Sequence, residues 1–358
     1  MTRTATVVGA GVFGLSVARE LARRGWRVEI VAATAPGAYG PSAGDTRILR
    51  CAYGDDLWYA DLAHRARRRW RGLERETGER FLLPVGVLSL GADSAFQVLD
   101  GLGVPAETVR PAEAASRFGL HFADVSGPLL YEPQGAVLRA AAAVGALALS
   151  VRAHGAHLTS GTAVPDGEGR AVVDGRTRRT RLTVWAAGAA LTTLFPAVAA
   201  ECGLRTVRQD CWYVAAPAAT GPRTAWIDQD DGCYGIPAVS AKGIKVVPDV
   251  ETPWDAPDHP DEGPLPARVH AHLRHRLPGL DRAPLTRRER CHYTTTSDAH
   301  FLLTRPGATT PAVWLVGGDS GHGFKHGPAW GEFVCDVMEE RTELPVRFGP
   351  RRMAAEVR

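Results

Sequence analysis

A run of glycines near the start of the chain constrains the fold more than any other feature of the sequence. Thr4 to Val8 is short, β-branched and uncharged, as expected of a buried strand. Gly9, Gly11 and Gly14 follow with the spacing G-x-G-x-x-G, and helical spacing begins at Leu15. A strand that turns into a helix there leaves free backbone N–H groups, which attract a pyrophosphate. The pattern predicts a Rossmann-like α/β domain that binds a dinucleotide, either FAD or a nicotinamide.

The second predicted strand, Trp26 to Val31, departs from the usual dinucleotide pattern. An acidic residue normally ends this strand and holds the ribose hydroxyl groups. Here Ala32 and Ala33 stand at that place, and Glu29 lies inside the strand, where we expect it to face elsewhere. The sequence therefore predicts a weak ribose contact.

Bulk properties exclude several classes of protein. The chain has 358 residues, enough for about two domains, and its formal charge of +3 gives no reason to expect nucleic acid as a partner. No apolar run is long enough to span a bilayer, so we expect no membrane partner either. The six cysteines form no C-x-x-C pair, which argues against a disulfide framework or a metal site. The chain leads straight into the first strand, so we expect no signal peptide and a cytoplasmic location.

A second glycine-rich turn stands near the other end of the chain. The apolar strand Ala312 to Val316 opens onto Gly317 to Lys325, and helical residues follow from Pro328 to Glu340. Two such turns suit a long cofactor such as FAD, stretched across one sheet. Leu182 to Ala189, with Gly188, has the pattern of a further strand end that faces a nucleotide, although a merely buried strand fits as well.

Two arginines follow a flexible, glycine-rich segment. Arg47 and Arg50 would lie on one side of a helical turn that starts at Asp45. They are either solvated or a cationic pair beside an anionic ligand.

The middle of the chain predicts a second domain. Phe81 to Leu90 has the pattern of a strand pair around Pro84, and a hairpin is expected at Asp174 and Gly175. Further strand patterns between residues 207 and 247 predict a mainly antiparallel sheet.

Taken together, several motifs resemble the D-amino-acid-oxidase-like flavoproteins, most of all the branch of monomeric sarcosine oxidase and N-methyltryptophan oxidase. They occur in family order over nearly the whole chain. The matching stretches are Gly9–Gly14, Gly44–Arg50 with Ala52–Gly54, Tyr234–Pro237, Gly243–Lys245, Cys291–Thr294 with Asp298 and His300–Phe301, and Ser320–Lys325.

The resemblance implies two domains and a bound FAD. We place the FAD-binding domain at residues 1–80, 135–205 and 290–358, and the substrate domain at residues 81–134 and 206–289. In this branch the flavin is attached through its 8α-methyl carbon to a cysteine, which stands here as Cys291. Arg290, if it points inward, would favour the thiolate form of Cys291. Such a tether would offset the weak ribose contact at Ala32.

The resemblance also implies a role for each matching side chain. Lys245 would lie over the flavin ring and help oxygen accept an electron, although on the strand pattern alone it is a surface residue. Arg50 and Lys325 would hold a substrate carboxylate, and Tyr234 and Tyr293 would line the substrate. The residues expected to bind the cofactor are Gly9, Gly11, Gly14, Thr46, Arg47, Gly188, Cys291, Gly318, Gly321, His322, Gly323, Phe324 and Lys325.

Two departures from the branch concern the substrate. Asp249 stands where sarcosine oxidases carry a histidine four residues after the strand lysine, and Ala43 stands where they carry another. These changes put sarcosine itself in doubt.

The expected function is an FAD-dependent amine oxidase that acts on a secondary or cyclic amino acid with a free carboxylate. The products would be an imine and hydrogen peroxide, and the protein would be a monomer. The alternatives are an imino-acid oxidase of natural-product biosynthesis acting on a larger ring, a flavin dehydrogenase with a protein acceptor, and a nicotinamide-dependent dehydrogenase.

Overall fold

The computed structural model describes residues 2–216, 221–255, 265–307 and 312–349. The strands within these ranges are, in chain order, β1 Thr4–Val8, β2 Arg27–Ala32, β3 Thr46–Leu49, β4 Leu82–Leu83, β5 Val87–Leu90, β6 Glu107–Val109, β7 Leu129–Glu132, β8 Ala136–Arg139, β9 His157–Ser160, β10 Ala163–Pro165, β11 Ala171–Val173, β12 Arg176–Thr177, β13 Leu182–Trp185, β14 Arg205–Val214, β15 Ala225–Asp228, β16 Cys233–Ile236, β17 Ile244–Pro248, β18 Thr252–Pro253, β19 Leu285–Thr295, β20 Leu302–Thr304 and β21 Val313–Gly317. The α-helices are α1 Val12–Arg23, α2 Leu57–Thr77, α3 Ala95–Gly101, α4 Pro111–Phe118, α5 Ala140–Ala153, α6 Leu191–Leu194, α7 Pro196–Glu201, α8 Ala267–Arg276 and α9 Gly327–Met338.

A six-stranded sheet carries both glycine-rich turns. Its order is β20-β21-β13-β1-β2-β9, and every pair is parallel except β20–β21 at one edge. The carboxyl ends of β1, β13 and β21 therefore meet at one edge of the sheet, where open α/β sheets bind their ligands. Helix α1 begins directly after the first glycine turn and packs against α5 and α9. The predicted Rossmann-like α/β fold is confirmed.

A second, larger sheet is mainly antiparallel, as predicted. Its order is β18-β14-β17-β16-β15-β5-β7-β6, with β19 paired to β14, and among the described residues the β5–β15 pair alone is parallel. Strand β19 runs through residue 290, where we placed a domain boundary, and residues 350–358 of the last segment lie outside the described ranges. The division by residue ranges stays a prediction.

Of three local predictions, one is wrong, one is correct in part and one is confirmed. Residues from Thr46 onward form a strand that pairs with β8, so Arg47 and Arg50 do not share the side of a helical turn. The two strands predicted around Pro84 are present as β4 and β5, but they do not pair with each other. Gly86, at φ 72°, redirects the chain between them, and β4 pairs with β8 instead. The hairpin between β11 and β12 is present, with Asp174 and Gly175 both at positive φ.

Within the described residues, no helix combines the length and the apolar character that crossing a membrane requires.

Candidate active site and cofactor cavity

A cavity of about 370 Å³ opens at the carboxyl edge of the six-stranded sheet. Both glycine-rich turns line it, the first through Gly9 and Gly11 and the second through Gly317 and Phe324. Gly188, after β13, lines it as well. Turns from opposite ends of the chain thus meet around one space, which is the arrangement that a single extended cofactor requires.

The first turn leaves no room for side chains and fits a pyrophosphate. A Cβ on Gly9 would lie 2.2 Å from the carbonyl oxygen of Ala186, and a Cβ on Gly14 would lie 2.0 Å from the carbonyl oxygen of Gly9. Helix α1 has no side-chain cap at Gly11. The N–H of Val12 donates to Ser42 Oγ at 2.8 Å, and that of Leu15 donates to the carbonyl oxygen of Gly11 at 2.9 Å. Within the described residues the N–H groups of Phe13 and Gly14 have no partner and can bind an anion. These residues fit a dinucleotide.

Among the described residues, those that line the cavity at the end of β2 carry no carboxylate. Ala32, Ala33 and Thr34 line the cavity where β2 ends. Glu29 is engaged elsewhere, because its carboxylate accepts hydrogen bonds from Arg178 Nε at 3.1 Å and from Thr159 Oγ1 at 3.2 Å.

Cys291 lies beside a cation, but not the cation expected from the sequence. Neighbouring residues on β19 point to opposite faces, so Arg290 faces away from the cavity that Cys291 lines. Nη2 of Arg47 lies 3.9 Å from Cys291 Sγ. Arg47 is itself anchored by three carbonyl oxygens, those of Thr46 and, on the preceding loop, of residues 41 and 43.

Lys245 is buried, with an exposed fraction of 4%, so the alternative of a surface lysine does not hold. Its Nζ lies 3.4 Å from the carbonyl oxygen of Thr46 and 5.9 Å from the centre of the Tyr213 ring. Lys245 and Cys291 line the same small cavity, of about 30 Å³. Phe324 borders this cavity and also the larger one that the glycine turns line.

A third cavity, of about 320 Å³, adjoins the small one and is lined by two further cationic side chains. Arg50 and Lys325 both line it, together with Tyr234, Tyr293 and His322. The Arg50 guanidinium lies over a neighbouring tyrosine ring, 5.1 Å from its centre. Within the described parts of the chain, neither Arg50 nor Lys325 forms a salt bridge with an acidic side chain. Cations without an acidic partner are ready to bind an anionic ligand.

The hydroxyl of Tyr53 is the centre of the polar network beneath this cavity. Lys325 Nζ donates to it at 2.6 Å, and His326 Nε2 and His322 Nδ1 lie 2.7 and 3.1 Å from it. Burial lowers the pKa of both imidazoles, that of His322 to about 3, so both rings are neutral. Burial, and after it the charge of Arg50, lowers the pKa of Lys325 well below that of a free lysine.

The two predicted substrate-lining tyrosines are held by hydrogen bonds. Tyr234 donates to Gln209 Oε1 and Tyr293 donates to Glu251 Oε1, each at 3.3 Å. Burial raises the pKa of both phenols, so they are neutral donors at ordinary pH.

The structure thus brings most of the predicted site residues together around these three cavities, with Gly321 in the second turn and Thr46 at the start of β3. Gly14, Gly318 and Gly323 line none of the three cavities. Sequence reasoning missed Glu132, whose buried carboxylate accepts the N–H groups of Cys51 and Ala52 at 2.7 and 3.1 Å. These bonds fix the segment that carries Arg50 and Tyr53. No local sequence pattern around Glu132 predicts this contact.

Asp319 was also missed, although a charged residue within a glycine-rich turn is a visible signal. It borders both the cofactor cavity and the small cavity. Burial raises the pKa of its carboxyl group to about 7.

Among the described residues, one group of three potential metal ligands lies away from these cavities: Asp231, Cys233 and His272. The Trp226 indole, which can only donate, gives its N–H to His272 Nε2 at 2.9 Å. The proton of the imidazole therefore lies on Nδ1, which faces Asp231 Oδ2 at 2.5 Å. Both ring nitrogens are occupied by hydrogen bonds, so we assign no metal to this group.

Comparison with known proteins agrees with this geometry. The family model of the FAD-dependent oxidoreductases matches residues 4–337. Monomeric sarcosine oxidase from Bacillus sp. (strain NS-129) is 28% identical over 357 residues, which cover 92% of this chain and 91% of that protein. N-methyl-L-tryptophan oxidase from Yersinia pestis (strain Pestoides F) is 27% identical over 365 residues, with 94% of each chain covered.

Among solved structures, L-proline dehydrogenase from P. horikoshii superimposes with a TM-score of 0.83, over 99% of this chain and 98% of that chain. At 19% identity this likeness shows the fold alone. The predicted resemblance to the sarcosine oxidase branch is confirmed by the two relatives above. Two glycine turns around one cavity and a family match over residues 4–337 lead to the same conclusion: the chain belongs to the family of FAD-dependent oxidoreductases.

Proposed function

We propose that this oxidoreductase is an amine oxidase that converts the C–N bond of a secondary or cyclic amino acid to an imine and reduces O2 to H2O2. The observation that carries the proposal is the pair of cations, Arg50 and Lys325, in the cavity next to Cys291 and Lys245. In the described residues neither has an acidic partner. The two relatives are named for sarcosine and N-methyl-L-tryptophan, both N-methyl amino acids.

Bound FAD would supply the redox chemistry, taking two electrons from the amine and passing them to oxygen. The chain supplies binding and orientation. The Arg50 guanidinium can grip a carboxylate through two parallel hydrogen bonds, and Lys325 adds a point charge. Because the carboxylate and the amine of an amino acid share one carbon, a fixed carboxylate also fixes the reacting C–N bond.

Lys245 is proposed to assist oxygen. A fixed, buried cation stabilises the negative charge that develops on O2 as it accepts an electron, and in a dry site this stabilisation is large. Cys291 is proposed as the covalent attachment point of the flavin. The Nη2 of Arg47 lies 3.9 Å from the Cys291 sulfur and so places a positive charge beside the proposed attachment atom. We further propose that the protein is a cytoplasmic monomer.

The test of this function is a panel of N-methyl and cyclic amino acids, each with its carboxamide analogue, read by peroxide release. The wild type should oxidise the acids and discriminate against the neutral amides. Arg50→Met should lower kcat/KM for the acids by about 10²-fold, mainly through KM, because one charged hydrogen-bonding partner of the carboxylate is lost.

Arg71→Met is the matched control, since Arg71 is exposed on α2 and lines none of the cavities described above. Its kinetics should equal those of the wild type. Peroxide release from amides as fast as from acids would contradict the assignment of the two cations.

Carboxylate binding should also depend on pH through Lys325. Because burial lowers the pKa of Lys325 well below 10.5, its ammonium group loses its proton at a lower pH than that of a free lysine. Below the lowered pKa the group is charged and binds the carboxylate; as the pH rises through that pKa, the attraction is lost and the Kd of a simple carboxylate such as butanoate should rise.

Isothermal titration of the holoenzyme with butanoate at a series of pH values below 10.5 measures the effect. Lys325→Arg keeps its charge at every pH used, so its Kd should stay flat. A wild-type Kd that does not change with pH, or an equal rise in Lys325→Arg, would assign the titration to another group.

A further inference from the structure

The 320 Å³ cavity is lined by side chains of opposite charge, one on its inner wall and one at its rim. Its inner wall carries the cation Lys325, which is 8% exposed, and its rim carries the exposed carboxylate of Asp249. Asp249 follows the last residue of β17, whereas Lys325 lies in the second glycine-rich turn of the other sheet. The two charges therefore belong to different elements and lie at different depths.

Asp249 is held in place at one carboxylate oxygen and left open at the other. Its backbone N–H donates to the carbonyl oxygen of Gly232 at 2.8 Å. Its Oδ1 accepts a hydrogen bond from Gln209 Nε2 at 3.0 Å, and Gln209 Oε1 in turn accepts the hydroxyl of Tyr234. Gln209 is 7% exposed, so this support is rigid. Oδ2 of Asp249 has no hydrogen-bond or ion-pair partner among the described residues.

The carboxylate of Glu251, which lies two residues from Asp249 in the sequence, is neutralised by a cation. Glu251 is paired with Arg205 at 2.8 Å and accepts the hydroxyl of Tyr293. Within the described residues Asp249 has no such cation. A neutral substrate group that covered Asp249 would remove water from its carboxylate without compensating the charge, which costs free energy. A cationic group would instead replace that water with an ion pair.

We propose that Asp249 is a specificity-determining residue that selects substrates with a second cationic group, a protonated amine or a guanidinium, at the end remote from the carboxylate. The proposal rests on the function proposed above and narrows it to N-alkylated dibasic amino acids. The reacting amine is not the partner of Asp249, because C–N oxidation needs the lone pair of the free amine and a neighbouring carboxylate would keep that amine protonated.

Binding, rather than turnover, gives the decisive test. The probes are ω-amino acids of graded chain length, each compared with the simple carboxylic acid of the same length, in isothermal titrations of the holoenzyme. For one or more lengths, the wild type should bind the ω-amino acid about tenfold more tightly than the plain acid. Asp249→Asn should abolish this preference and leave the affinity for the plain acid unchanged, and added salt should weaken the preference in the wild type.

Asp255→Asn is the matched control, because Asp255 is exposed, lies beyond β18 and lines none of the cavities described above. It should keep the wild-type preference. Equal affinities for both probe series in the wild type, or a preference that survives in Asp249→Asn, would overturn the proposal.

The two proposals fail in different ways. If ω-amino acids bind with the expected preference but no N-methyl amino acid yields peroxide, the Asp249 subsite stands and the amine oxidase function falls. If N-methylnorleucine is oxidised as well as Nα-methyllysine and the binding preference is absent, the amine oxidase function stands and the role of Asp249 falls.

Discussion

Acid precipitation of the purified wild-type protein should give a yellow pellet, whereas the Cys291→Ala variant should release its flavin into the supernatant. The physical reason is that a thioether survives acid denaturation, while every non-covalent contact of the cofactor is lost when the chain unfolds. Cys291 faces the small cavity beside Lys245, and a cation, Arg47, lies 3.9 Å from its sulfur. Absorbance of the two fractions, together with the mass of the intact chain, measures the result.

Cys211→Ala provides a matched control from the neighbouring strand. Cys211 lines the same small cavity, because it lies two residues from Gln209, the cross-strand partner of Cys291. Burial raises the pKa of its thiol, which makes it a poor nucleophile. The pellet of Cys211→Ala should stay yellow. A yellow supernatant from the wild type would rule out covalent attachment. Release of flavin from Cys211→Ala but not from Cys291→Ala would assign the attachment to Cys211.

Lys245→Met should slow the reaction of the reduced enzyme with O2 by about 10²–10³-fold, the range seen when one preorganised charge-stabilising group is removed. Reduction of the flavin by substrate under anaerobic conditions should change only a few-fold, because carboxylate binding depends on Arg50 and Lys325 instead. Stopped-flow absorbance at varied O2 concentration separates the two half-reactions.

Lys242→Met is the control for charge in the same region. Lys242 lies three residues before Lys245, is half-buried and pairs with Glu289 rather than lining the small cavity. Its loss should leave the oxygen reaction unchanged. If Lys245→Met also reacts normally with O2, the lysine is not the oxygen site, and a dehydrogenase with a different electron acceptor becomes the better description.

Local patterns predicted the backbone of the cofactor site well. Residue Gly9 adopts a φ of 112° and lies close to the backbone of Ala186. Glycine alone meets both requirements easily, so its position in the sequence marks the turn. The same reasoning was wrong for Asp45 to Arg50. The helical spacing of the two arginines was real, but pairing of β3 with β8 satisfied the backbone hydrogen bonds and overrode it.

Side-chain partners were harder to predict, because they depend on which strands become neighbours. The expected partner of Cys291 was Arg290, its neighbour in sequence, whereas strand alternation turns Arg290 away and folding brings Arg47 to the sulfur. Glu132 supports the Arg50 segment from a distant strand, and Lys325 meets Tyr53 across most of the chain length. Such contacts leave no signal at either residue.

By itself, the sequence determined the two glycine turns, the α/β sheet that carries them and the family of flavin-dependent oxidoreductases, because these depend on turn chemistry and strand spacing within a few residues. Only the tertiary structure decided that Arg50 and Lys325 share a cavity without an acidic partner in the described chain, and that Asp249 stands at its rim with one oxygen open. The arrangement of charges in a cavity depends on which distant strands pair, in which register, and on which side chains become buried. No single position of the sequence determines these properties.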